Sequence, residues 1–284
     1  MKRITTIAAM AVASTFMYAQ DGLNEFKNFR FGLKVSPSVN WFDPDGKILA
    51  SNGLNVGFGG GLITEFRLTK VVCIQTGAQI DINGGKIKYN NGGPGSAGSN
   101  TVSYYYNTLD DKIVKYSSAL ASDIHFQLNE RDYRITYVTI PLLLKMKTKE
   151  IGTFTYSGHV GVNNSIRWKA IAKDELQVID DNTNTLGAKD SKSKLDITRD
   201  VSFFTASLNF GLGAEMNLAG TTSLLFGVNY NLGFTNVVKN DSDYLGRRAN
   251  DVTYSSTNTG AYIQTKMPQE VKSNAVVLTV GVLF

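Results

Sequence analysis

The chain has 284 residues, a single cysteine, two histidines and a formal charge of +5. One cysteine, Cys73, excludes an intramolecular disulfide framework, and on a strand it reads as a small packed side chain. Lysines and arginines are dispersed among aspartates and glutamates with no basic block, so nucleic-acid binding has no support.

In chain order the first feature is a targeting segment. Met1-Lys2-Arg3 is followed by an apolar run, residues 4–18, and by the small Ala19 ahead of Gln20. This is the layout of a secretory signal peptide over residues 1–19, and it is too short for a spanning helix. Lys2 and Arg3 carry two of the five net charges, so the mature chain is near +3. Residues 20–28 are expected to form a short periplasmic stub, and residues 29–284 one domain. Nowhere does an apolar run approach the ~20 residues of a transmembrane helix.

What recurs instead is period two, the signature of strands with one apolar and one polar face. In FRFGLKVSPSVNW, residues 29–41, Phe29, Phe31, Leu33, Val35, Val39 and Trp41 alternate with Arg30, Gly32, Lys34, Ser36, Ser38 and Asn40. Seven more strands follow. Their apolar faces carry Val56, Phe58, Leu62 and Phe66; Val72, Ile74 and Ile80; Val138, Ile140, Leu142, Leu144 and Met146; Phe154, Tyr156, Val160, Ile166 and Trp168; Phe204, Leu208, Phe210 and Leu212; Leu224, Phe226, Val228 and Tyr230; and Val276, Leu278, Val280 and Phe284. Short turns near residues 68–70, 148–150 and 217–220 alternate with long polar stretches at 42–54, 83–132, 169–200 and 235–273. An even number of strands with short turns at one end and long loops at the other predicts an all-β, eight-stranded antiparallel transmembrane β-barrel, with periplasmic turns and extracellular loops.

The polar faces decide which side meets water. The seventh strand's polar face, Ser223, Gly227, Asn229, Asn231 and Gly233, carries no charge, and glycines stud the second and sixth strands. Small and neutral residues suit the crowded interior of a narrow barrel better than a surface in bulk water. Aromatics stand toward the strand ends, at Phe31, Trp41, Phe66, Tyr156, Trp168, Phe204, Tyr230, Phe234 and Phe284, as interfacial girdles do. The apolar faces therefore meet outer-membrane lipid. Pro37 and Pro141 fall inside strands of a barrel that has no edge, and bulges are expected there.

FRFGLKVSPSVNWF, NVGFGGGLITEF, YVTIPLLLKMK and the terminal VVLTVGVLF resemble the PorT-like outer-membrane β-barrel family of Bacteroidetes, across essentially the whole mature chain. The run Ile140 to Lys145 is the most specific part. The resemblance implies a barrel in the outer membrane, with Phe284 as the signal read by barrel-insertion machinery. One founding member is an accessory factor of the type nine secretion system, and the resemblance transfers no catalytic, cofactor or metal residues.

Inside the lumen, Lys34, Glu65, Arg67, Asp81, Lys145, His159, Arg167 and Glu215 form a candidate ion-pair network that plugs the barrel, because buried charges persist when paired and eight strands leave no open channel. Tyr104, Tyr105, Tyr106 and Tyr116 in the second long loop are candidate contacts for an envelope protein partner. His125, near Ser117, Ser118, Ser122 and Asp123, is the only loop histidine on which an acyl-transferring or hydrolytic site could rest, and no nucleophile elbow frames it. The run from Asp180 to Thr185 imitates the start of a calcium loop but has Thr185 where glycine belongs and Ser191 where glutamate belongs. The glycines of residues 93–98 fit G-x-G-x-x-G by letter alone, with no helix to follow. The reading is a non-enzymatic outer-membrane barrel without cofactor or metal, serving envelope structure or surface contact. An accessory subunit of a type nine secretion or surface machine and a lipid-modifying hydrolase or acyltransferase stand as alternatives.

Overall fold

The structure, a computed structural model, describes residues 29–46, 48–91, 101–115, 118–120, 122–180, 183, 185–220, 222–240, 242–248, 264–266 and 269–284. The expected signal peptide and stub, Tyr116, Ser117 and the glycine run at 93–98 lie outside the described residues. In chain order the strands are β1 (Phe29–Asp45), β2 (Leu49–Ser51), β3 (Asn55–Arg67), β4 (Val72–Tyr89), β5 (Val102–Asn107), β6 (Lys112–Val114), β7 (Ile124–Lys147), β8 (Phe154–Asp180), β9 (Thr185–Asp196), β10 (Phe204–Ala219), β11 (Thr222–Gly233), β12 (Gly246–Arg248), β13 (Gln264–Lys266) and β14 (Glu270–Leu283).

Eight of them close into a ring of antiparallel ladders. β1 pairs β3, β3 pairs β4, β4 pairs β7, β7 pairs β8, β8 pairs β10, β10 pairs β11, β11 pairs β14, and β14 returns to β1. Closure removes every barrel edge, so the backbone polar groups of the ring can pair with a neighbouring strand on both sides, as hydrocarbon demands. Outward positions carry an apolar belt that includes Phe31, Leu33, Val35, Phe58, Leu62, Ile80, Ile140, Leu142, Leu144, Leu212, Val228 and Leu278, all exposed. Aromatic contacts border it. Phe29–Phe66 and Phe31–Phe284 meet at the short-turn end, with ring centroids 5.2 and 5.6 Å apart, and Trp41–Tyr230 meet at the other end at 6.1 Å.

The long polar stretches 42–54, 83–132 and 169–200 prove to be largely sheet where they are described, whereas much of 235–273 lies outside the described residues. β7 has 24 residues and β8 has 27, whereas a membrane crossing takes about 9–11. Beyond the belt the two faces exchange character. Phe42, Ile87, Tyr89, Tyr133, Ile135, Tyr137, Ala170 and Ala172 point inward into one large apolar core, joined by Tyr104 and Tyr106 from β5 and by Phe126 and Leu128. Asp43, Asp45, Lys88, Arg134, Lys169, Lys173 and Glu175 are exposed on the outside. Bulk water replaces lipid around this half, and the apolar face turns inward in response. In β8 the exchange uses a bulge. Tyr137 pairs Arg167 while Thr136 pairs Lys169, which leaves Trp168 as an extra residue that is 75% exposed, and the inward set moves from odd to even positions.

The bulges expected at Pro37 and Pro141 are absent. β1 keeps one register with β14 on both sides of Pro37, and β7 keeps one register with β4 on both sides of Pro141. The ladder simply lapses for a few residues on one flank, while Pro37 stays paired with Phe58 and Pro141 with Asn163 on the other. At the second lapse the Thr76 hydroxyl donates to the Pro141 carbonyl at 2.7 Å, so a side chain replaces part of the ladder. Proline lacks only one donor, and a local side-chain bond offsets that loss without a shift of register.

The belt gives a direct test on one face of one strand. Leu142, 58% exposed, sits within it, and Arg134 lies on the same face beyond it. Leu142→Arg is expected to lose about 2–4 kcal/mol of unfolding free energy in lipid vesicles, and Thr136→Arg less than about 1 kcal/mol. Equilibrium urea unfolding of the two variants beside the parent measures both.

Candidate functional site

At the short-turn end, lumen-facing positions of four strands bring together three cations and two carboxylates. Lys145 on β7 donates to Glu65 on β3 at 2.6 Å and to Glu215 on β10 at 2.8 Å. Lys147 contacts the same two carboxylates at 2.6 and 2.7 Å. From β1, Arg30 donates to Glu215 at 2.7 Å and to the Ser223 hydroxyl at 2.8 Å. Ile63, Leu225 and Leu283 form a small buried apolar cluster beside it, and Leu225 is the register partner of Glu215. Each carboxylate, itself almost fully buried, thus meets more than one cation, the arrangement in which buried charges survive.

Of the lumen residues singled out in the sequence, this cluster contains Glu65, Lys145 and Glu215. Arg67 is half-buried and lines an open vestibule at the same mouth with Lys70 and Lys149. Farther along the lumen, Asp81 accepts from the Gln79 amide at 2.7 Å, and His159 shares a 2.9 Å hydrogen bond with Asn209. Lys34 makes no ion pair among the described residues. Arg167 is far from the cluster, at the Trp168 bulge, and donates to the Thr198 carbonyl. The single network expected from sequence is therefore corrected to one cluster plus separate polar groups. Arg30 and Lys147, two of its members, were missed, although both share a face with residues that were named.

In the outer half the dominant polar feature is a buried pair that no motif announces. Arg131 on β7 and Asp174 on β8 are register partners with 0% side-chain exposure. The guanidinium donates through Nε at 2.7 Å and Nη2 at 2.6 Å, a two-pronged bond. Tyr104 donates to the same carboxylate at 2.9 Å, and the Arg131 guanidinium lies 5.6 Å from the Tyr104 ring centroid and 5.9 Å from that of Tyr133. Burial works against the charge on Arg131, yet the adjacent Asp174 holds its pKa well above the ordinary value. Burial, with the Asp174 charge, pushes the Tyr104 hydroxyl up, so it remains a donor. Tyr89 and Tyr133 share a 3.1 Å hydrogen bond in the same core, and burial raises both.

The expected tyrosine contact surface narrows accordingly. Tyr104 and Tyr106 are buried core residues, and Tyr105 is half-buried, stacked on His125 with centroids 4.3 Å apart. His125 is itself buried and shares a 2.9 Å hydrogen bond with Ser103. Asp123 instead receives hydrogen bonds from the Asn107 amide at 2.8 Å and the Leu120 backbone at 2.9 Å. At the calcium-like run, Asp180 accepts from the Thr183 backbone at 3.3 Å.

The profile of the family described as "Outer membrane protein beta-barrel domain" matches residues 18–239. No curated protein matches the sequence. Among solved structures the chain is similar to Neisserial surface protein A, with 9% identity, a TM-score of 0.37 and coverage of 90% of this chain and 96% of that one. It is similar also to OprG from Pseudomonas aeruginosa, with 11% identity, a TM-score of 0.38 and coverage of 92% and 98%. Against Ail of Yersinia pestis the identity is 10%, the TM-score 0.30 and the coverage 91% and 100%.

Asp174→Asn leaves a buried arginine without its counter-charge and is expected to destabilise the protein by about 3–5 kcal/mol. Replacing both partners, Arg131→Met with Asp174→Leu, removes the desolvation cost along with the attraction and is expected to recover most of that loss. Thermal and denaturant unfolding of the single and double variants gives the comparison.

Proposed function

The chain belongs to the outer membrane protein β-barrel domain family, and from that premise we propose a non-enzymatic display role, in which a sealed barrel anchors a folded surface structure for contact with an envelope protein partner. The observation that carries this reading is the second core. Above the lipid belt the strands continue into a sheet with buried apolar side chains of its own, and ordering so much chain outside the membrane is costly unless the surface is used. Short turns at the periplasmic side and the long hairpins outside follow the arrangement of bacterial outer-membrane barrels.

Two features speak for display over transport or catalysis. Cross-lumen ion pairs fill the short-turn end of the barrel and the apolar core fills the other end. Catalysis would need an accessible nucleophile and base, whereas the Ser103–His125 pair is enclosed, with Tyr105 lying over the imidazole. Tyr105 and the exposed charges of β9, among them Lys189, Asp190 and Lys194, supply the polar and amphipathic groups for a partner. Phe284 faces outward at the end of the last ladder, its amide donating to the Phe31 carbonyl at 2.7 Å, and is the residue proposed for recognition by insertion machinery. The PorT-like resemblance favours, as a second reading, an accessory subunit of a type nine secretion or surface machine.

Purified protein in planar lipid bilayers is expected to remain electrically silent, and stepwise conductance would overturn the sealed-barrel reading. Mild-detergent purification from the native outer membrane followed by mass spectrometry separates the roles. A stoichiometric partner supports display as part of an assembly; a barrel recovered alone counts against the accessory-subunit reading.

A further inference from the structure

Between the ion-paired cluster and the outer apolar core the lumen encloses a cavity of about 50 Å3. Its lining is mostly polar, and among the described residues three of the lining atoms are buried without a hydrogen-bond partner: Ser36 Oγ, Gln79 Oε1 and Ser157 Oγ. Orphaned polar atoms are rare in folded proteins, and three around one cavity point to an occupant. A single water needs roughly 10–15 Å3 by this kind of measure, so the space holds a few water-sized species.

Charge identifies one of them. Lys34 lines the cavity and forms no ion pair or side-chain hydrogen bond among the described residues; it stands between the attraction of Asp81 and the repulsion of Lys145. Glu65 and Glu215 are already shared by Lys145, Lys147 and Arg30. Among the described residues, the charged side chains Arg30, Lys34, Lys145 and Lys147 between the two mouths thus face three carboxylates, Glu65, Asp81 and Glu215. A low-dielectric interior holds an excess charge poorly, and a small counter-ion removes the excess.

We propose that this cavity is a binding site for a halide-sized monovalent anion, held by the Lys34 ammonium and the lining hydroxyls, with water bridging to the amide oxygen of Gln79. The hydroxyls of Ser36 and Ser157 are donors available to an anion, and the Gln79 amide oxygen is an acceptor that water, not an anion, can satisfy. One excess positive charge calls for a monovalent anion, and a space for a few waters excludes one as large as gluconate. The site is independent of any surface partner.

Crystals of detergent-purified protein grown in bromide in place of chloride test the assignment. The expected result is a bromide anomalous peak inside the lumen, within hydrogen-bonding distance of Lys34 Nζ, that disappears in Lys34→Met. Water alone in the cavity, or bromide only at the protein surface (an adventitious ion only), overturns it. A second measurement covers the case in which Lys34→Met does not fold. Exchanging chloride for gluconate, too large to enter, should lower the unfolding midpoint of the parent and leave the doubly substituted Ser36→Ala, Ser157→Ala protein less sensitive. Equal sensitivity of the two proteins counts against the site.

Discussion

The long strands of the ring, β1, β4, β7 and β8, have to serve two solvents. Within the belt, lipid surrounds the barrel, so apolar side chains face out and the backbone must satisfy itself by closure. Above it, water surrounds the same sheet, and the apolar side chains must turn in. β1 makes this exchange without changing parity, since Asn40 and Phe42 both point inward, one polar and one apolar. β7 does the same between Thr139 and Tyr137. β8 cannot, because its inward residues after the belt, Ala170, Ala172 and Asp174, fall on the opposite parity from Asn163 and Arg167. The extra residue at Trp168 realigns them, and its large amphipathic ring lies where lipid gives way to water.

The buried charges follow from a problem that the belt itself creates. A uniformly apolar outer face does not distinguish one register from another two residues away, because Leu142 and Leu144 are equally content in lipid. Cross-lumen ties do distinguish them. Lys145 reaches β3 past β4 and reaches β10 past β8, and Arg30 reaches β10 from across the barrel. A slip of two residues moves a side chain by about 7 Å, far beyond hydrogen-bonding range. Arg131 and Asp174 act similarly in the outer half, where β7 and β8 are joined along their whole paired length. Pairs of this kind contribute little net stability, because desolvation offsets most of the attraction; what they supply here is a penalty on the wrong alignment.

Much of this was open to reading from the residues. Period two assigned the faces of the belt strands, and the lack of charge on Ser223, Gly227, Asn229 and Asn231 put them inside. The outer sheet was missed because its pattern carries the opposite sign. Lys86-Ile87-Lys88-Tyr89 and Asp132-Tyr133-Arg134-Ile135-Thr136-Tyr137 alternate as cleanly as any membrane strand, but with the charged residues outward. Taken with the polar stretches around them they read as loop. In β8 the Trp168 bulge also breaks the parity that would have carried the pattern forward. The bulges expected at Pro37 and Pro141 failed for a related reason, since which neighbour loses a donor depends on strand pairing. Arg30 and Lys147 shared the right faces, yet nothing short of the three-dimensional register shows that they converge on Glu65 and Glu215.

Register also explains why so narrow a barrel can hold so many large polar side chains. Gly59 lies opposite Asp81, Gly211 opposite His159, and Gly85 beneath the Phe42 ring, which a Cβ at residue 85 would meet at 2.5 Å. At each place a missing side chain on one strand makes room for a bulky one on another, so the lumen is filled by complementary pairs and not left as a bore. Two distant parts of the sequence must change together to preserve such a filling, which leaves the membrane half little latitude. The outward surface of the upper sheet carries no comparable constraint beyond staying polar. Chemical variety for contact can therefore reside there, on strands that the filled barrel below holds in place.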